Sequence, residues 1–121
     1  MRSASLFLFL ALALPLPLGA ASPAPTHLTI TLSNYRFDPA PIRLRSGQPY
    51  VLHLVNRSGR KHNFVAPAFL SAARAGRGKI DVPPGGGANL AIVAPRAGRY
   101  KVKCTHFTHA MRGMTSEIIV E

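Results

Sequence analysis

A chain of 121 residues has room for one domain and not for two. Fifteen lysines and arginines against four acidic residues give a formal net charge of +11. The basic residues are scattered, with no helix carrying them as a stripe, and this argues against nucleic acid as a partner and for an anionic protein or lipid surface. A single cysteine excludes an internal disulfide framework.

The chain opens with Met1-Arg2, continues through the apolar run Leu6 to Leu18, and reaches the small residues Gly19-Ala20-Ala21 before Ser22-Pro23. Basic, apolar, small is the order of a secretory signal peptide, predicted here over 1–21 with a mature domain over 22–121. The apolar run is thirteen residues long. Spanning a bilayer takes about 20, so stable membrane insertion is not expected. Loss of Arg2 with the leader leaves 14 basic and 4 acidic residues, a net of +10. Export adds a second reason against nucleic acid and places Cys104 in an oxidising compartment, where an unpaired cysteine is an intermolecular bridge, a liability or a metal ligand.

From His27 onward, short runs alternate apolar and polar residues at roughly ten-residue spacing, a rhythm that belongs to half-buried strands. They are His27 to Leu32, Ile42 to Arg45, Tyr50 to Val55, His62 to Val65, Ile80 to Val82, Leu90 to Val93, Tyr100 to Lys103 and Glu117 to Val120. Gly, Pro or Asn separates them. Eight short antiparallel strands in a chain this size predict an all-β, two-sheet sandwich or small barrel. Ala68 to Arg74 has helical character and is expected to form one short excursion between the fourth and fifth strands.

The segment after the seventh strand carries the chemistry. Cys104, His109 and Met114 stand at Cys-x4-His-x4-Met spacing between two strands, and His62 begins a different strand upstream. One cysteine, two histidines and a weak methionine are the donor set of a mononuclear electron-transfer copper site. Cu(I) favours soft sulfur and Cu(II) favours nitrogen; a His2Cys plane with a distant thioether suits both. Met111 is a rival to Met114, but it lies only two residues past His109, too close to reach the axial position without straining the loop. His27 and His53 read as ordinary strand residues.

These residues resemble the cupredoxins, the family of small blue copper proteins that includes plastocyanin and azurin. The likeness rests on Phe37-Asp38-Pro39, Ser46-Gly47, Asn56, the pair His62-Asn63, and Gly98-Arg99-Tyr100-Lys101-Val102-Lys103-Cys104 leading into the ligand loop. It implies a Greek-key sandwich of about eight strands. It also implies one copper ion held by His62, Cys104, His109 and Met114, with Asn63 placing a backbone N–H on the cysteine sulfur and joining Thr105 across the site. His106-Phe107 departs from the Phe-Pro or similar apolar pair of several members. Every residue between Cys104 and His109 therefore keeps its N–H, and that of His106 is a candidate second donor to the sulfur; the alternative is a solvated loop histidine.

A closed mononuclear site has no open position for a substrate, so no enzyme is expected. The expectation is a monomeric Cu(I)/Cu(II) electron shuttle, secreted across the membrane to the periplasm. His109 would be its exit to redox partner proteins bearing an acidic docking surface. The other reading from the same ligands is a copper carrier or buffer without electron relay.

Overall fold

The computed structural model describes residues 12–19, 22–106 and 112–121. Residues 12–19 have no regular structure, and Leu12, Leu14, Leu16 and Leu18 are exposed. Among the described residues no helix is long and apolar enough to cross a membrane.

The strands are β1 Thr26–Ser33, β2 Arg36–Asp38, β3 Ile42–Leu44, β4 Pro49–Asn56, β5 His62–Val65, β6 Lys79–Val82, β7 Gly87–Val93, β8 Gly98–Lys103 and β9 Thr115–Val120. They form a four-stranded sheet, β2-β1-β4-β7, and a five-stranded sheet, β3-β9-β8-β5-β6. The expected all-β sandwich is the observed architecture, with one strand more than the alternation indicated. The addition is β2, whose single apolar residue, buried Phe37, has no second at i+2 to mark a period, whereas the equally short β3 shows Ile42 and Leu44.

Strand direction is a second difference. The antiparallel expectation holds for β1–β2, β4–β7, β5–β6, β5–β8 and β8–β9. However, β1 runs parallel to β4 from Thr26↔Tyr50 to Leu32↔Asn56, and β3 runs parallel to β9. Alternation decides which side chains face inward, and its parity is the same whichever way a neighbour runs.

The two inner faces supply one core. Ile30, Leu32, Leu52, Leu54 and Ile92 of the first sheet join Phe64, Val82, Val102, Ile118 and Val120 of the second in a single buried cluster. Phe37 meets Phe64 edge to face, ring centroids 6.1 Å apart, which ties the short β2 to β5.

Helix α1 spans Pro67–Ala72, with Pro67 at the position where a missing N–H costs nothing. It buries Phe69 and Leu70, and the Phe69 ring packs edge-on against Tyr100 at 5.7 Å. The helix stops before the predicted Arg74 because that residue turns left-handed at φ 53°. The Ala75 N–H then reaches back to the Leu70 carbonyl at 2.8 Å and closes the last turn.

Candidate metal centre

Three strand ends converge at one end of the five-stranded sheet. Cys104 follows β8 and Met114 precedes β9, and the pairing Lys103↔Thr115 makes the two residues neighbours. The Cys104 N–H donates to the Met114 carbonyl at 3.1 Å. Strand β5 joins the other edge of β8 at Val65↔Lys103, which brings His62 and Asn63 alongside Cys104 and Thr105. Gly113, at φ +87°, makes the left-handed turn into Met114 that a side chain would resist.

His62, Cys104 and Met114 are each 0% exposed. His62 Nδ1 lies 3.7 Å from Cys104 Sγ. On the far side of the ring, Nε2 donates to Asn34 Oδ1 at 3.2 Å. An acceptor-only oxygen there places the imidazole proton on Nε2, so Nδ1 presents its lone pair toward the sulfur. Asn34 sits in the turn between β1 and β2, and sequence reasoning missed it. Nothing local marks a residue 28 positions from the histidine it orients.

Asn63 sits where the resemblance implied. Its backbone N–H donates to Cys104 Sγ at 3.4 Å. Its side chain makes a reciprocal pair with Thr105: Nδ2 donates to Oγ1 at 2.9 Å, and Oδ1 accepts from the Thr105 N–H at 2.8 Å. The amide thus continues the β5–β8 ladder past its last backbone pair. Asn56, also buried, anchors the approach to His62. Its Nδ2 donates to the Arg60 and Val82 carbonyls at 2.7 and 3.0 Å, and its Oδ1 accepts from Ser58 N–H and Oγ–H.

His106 lies in a bend beyond the end of β8. Its side chain is 31% exposed, and Nε2 lies 3.8 Å from Asp81 Oδ1 on β6. Both residues line a cleft of about 290 Å³ beside His62, with Lys61 and Lys79 on its rim. A larger groove of about 760 Å³ runs over the outer face of the five-stranded sheet, lined by Arg43, Arg99, Lys101 and Lys103. It is a basic, solvated surface on the opposite side from the sulfur. His109, with Phe107, Ala110 and Met111, lies outside the described residues.

Full burial removes Cys104 from intermolecular bridging, and it forms no disulfide. Thiol and thioether sulfur beside an oriented imidazole fit copper and suit hard, oxygen-seeking cations poorly. Among the described residues, no three His, Cys, Asp or Glu side chains gather as a metal-holding group. What they provide is one His–Cys pair with a neighbouring methionine.

The family model for the Cupredoxin-like domain matches residues 4–120, nearly the whole chain. The chain belongs to the cupredoxins. This cupredoxin is similar to dithionite-reduced auracyanin from the photosynthetic bacterium Roseiflexus castenholzii, at 22% identity and a TM-score of 0.64, over 82% of this chain and 99% of that one. Auracyanin A, a blue copper protein from the green thermophilic photosynthetic bacterium Chloroflexus aurantiacus, is 18% identical with a TM-score of 0.60, over 81% of this chain and 100% of its own. A multi-copper oxidase from Pediococcus acidilactici is 14% identical with a TM-score of 0.62; 89% of this chain aligns with 29% of that one. At such identities the likeness establishes the fold. No curated protein matches the chain.

Proposed function

We propose that this cupredoxin is an exported one-copper electron carrier, with His62, Cys104, His109 and Met114 as the ligands. The observation that carries the reading is the His62–Cys104 pair: Nδ1 and Sγ 3.7 Å apart, fully buried, with Asn34 holding the imidazole tautomer that leaves Nδ1 available. Bound there, copper would supply a one-electron Cu(I)/Cu(II) couple.

The chain's own residues serve that role by staying still. Asn63 and Thr105 pin the start of β5 to the start of the ligand loop, so the His62–Cys104 separation is held by a part-buried side-chain bridge that extends the β5–β8 ladder. The Asn63 N–H draws on charge at the cysteine sulfur from a fixed direction. Burial of His62, Cys104 and Met114 keeps water from the donors. That enclosure favours retention of the metal, and so an electron carrier over a copper carrier or buffer. A closed donor set offers no place for a substrate, and the reading is not an enzyme.

Residues 1–21 act in this reading as a leader, and 22–121 are the domain delivered to the periplasm. Exposed leucines along 12–19 suit a segment outside the domain. The excess of 14 basic over 4 acidic residues in 22–121 suits a monomer that meets acidic redox partners in short encounters, at rates that fall with added salt.

The test is a visible spectrum after addition of Cu(II), for the wild-type protein and Cys104→Ser. An intense band present in the first and absent in the second is the expected result. A wild-type protein without such a band would overturn the copper–thiolate assignment.

A further inference from the structure

The outer face of the four-stranded sheet holds a second pair of imidazoles. Alternation along β1 and β4 turns Leu28, Ile30, Leu52 and Leu54 inward and leaves His27 and His53 outward. The parallel register pairs Thr29 with His53 and His27 with Val51, so the two histidines are diagonal neighbours. Their rings stack at 12° with centroids 5.1 Å apart, and His27 Nδ1 lies 2.8 Å from His53 Nε2. Across the next strand, His53 Nδ1 lies 2.7 Å from Asn89 Oδ1, its register partner on β7.

Asn89 decides the chemistry of the pair. Its carbonyl oxygen only accepts, so the His53 proton is on Nδ1 and the lone pair on Nε2 faces His27. A carbonyl behind one ring nitrogen is the arrangement that orients metal-bound histidines.

We propose that His27 Nδ1 and His53 Nε2 form a second metal site, for an imidazole-seeking divalent ion of the Cu(II), Ni(II) and Zn(II) class. Imidazole nitrogens bind such ions at about 2.0 Å, and two of them meeting at a right angle are then about 2.8 Å apart. The 2.8 Å contact is the hydrogen bond of the metal-free pair; it brings the two nitrogens within reach of one ion, and rotation of the two exposed rings turns both lone pairs toward it. As the ion enters, the proton shared between the rings leaves His27 Nδ1 and moves to the exposed Nε2 of the same ring, so neutral His27 stays neutral. In-register neighbours on this face are Thr29, Val51 and Ala91, with no carboxylate among them. Hard, oxygen-seeking ions such as Ca(II) and Mg(II) are therefore disfavoured, and water completes the coordination.

This site is distinct from the buried one. Six residues of extended β1, Leu28 to Ser33, separate His27 from Asn34, roughly 20 Å at the usual strand rise. The proposal therefore does not rest on which ligands surround Cys104.

The test loads the intact protein with one equivalent of Cu(I), then titrates Ni(II), a redox-inert paramagnetic probe, while backbone amides are followed by NMR. Broadening centred on residues 27, 53 and 89 is expected, with His27→Gln and His53→Gln each weakening Ni(II) binding at least tenfold. Asn89→Ala should weaken it a few-fold without altering the thermal melt, as a positioning residue would. Broadening centred elsewhere (the N-terminal amine, or His106) would overturn the proposal. So would equal Ni(II) affinity in wild type, His27→Gln and His53→Gln.

Discussion

Replacing Asn63 by alanine isolates the stitch across the metal centre. The side chain is 2% exposed and makes two hydrogen bonds to Thr105, at 2.9 and 2.8 Å. Each contributes about 1 kcal/mol net. Thr105 is exposed, so its released N–H and hydroxyl turn to water and add no further desolvation cost. The expected loss is therefore about 2 kcal/mol, which in a domain of about 100 residues lowers Tm by roughly 8–16 °C. Thr105→Ala removes only the Oγ1 bond and should cost about 1 kcal/mol, because the Thr105 backbone N–H keeps its Asn63 acceptor. In the double variant the Oγ1 bond is lost once, so the cycle should show a coupling of about 1 kcal/mol. Thermal and urea melts of the metal-free protein measure all four species without interference from ligand binding. An Asn63→Ala loss below about 0.5 kcal/mol, or an additive cycle, would refute the reasoning.

Two further outcomes follow from neighbouring contacts. Asn34→Ala removes the acceptor behind the His62 ring and should weaken copper binding by about 10- to 100-fold. Because His62 is 0% exposed, losing the acceptor of its Nε2–H should also cost metal-free stability about 1–3 kcal/mol, which urea melts measure separately from copper affinity. Phe64→Ala opens a fully buried space between the sheets and removes the edge contact with Phe37. It should cost about 3–5 kcal/mol by urea denaturation, and a loss under about 1.5 would mean that the sheets close over the gap.

The burial pattern was legible because it is local. Apolar residues at every second position along 27–32 and 50–55 marked the inward faces, and the structure buries Ile30, Leu32, Leu52 and Leu54 there. The bonds from Asn63 to the Cys104 sulfur and to Thr105 were implied by the resemblance to the cupredoxins, and they are present. The helix was placed correctly but extended too far, since its end depends on the backbone turning at Arg74, a residue that seldom takes a positive φ. β2 was missed because its single apolar residue, Phe37, marks no period.

By itself, the sequence determined the all-β class, the inward face of the eight strands it marked and the family. Side-chain parity and residue type are properties of consecutive residues, and these survive in one dimension. Only the tertiary structure decided that β1 and β4 run parallel, that Asn34 reaches the His62 ring from 28 positions away, and that His106 leans on Asp81. It alone stacked His27 on His53, two histidines that looked like ordinary strand residues. Strand direction and register are set by the packing of whole sheets, and contacts across them depend on that packing rather than on any neighbour in the chain.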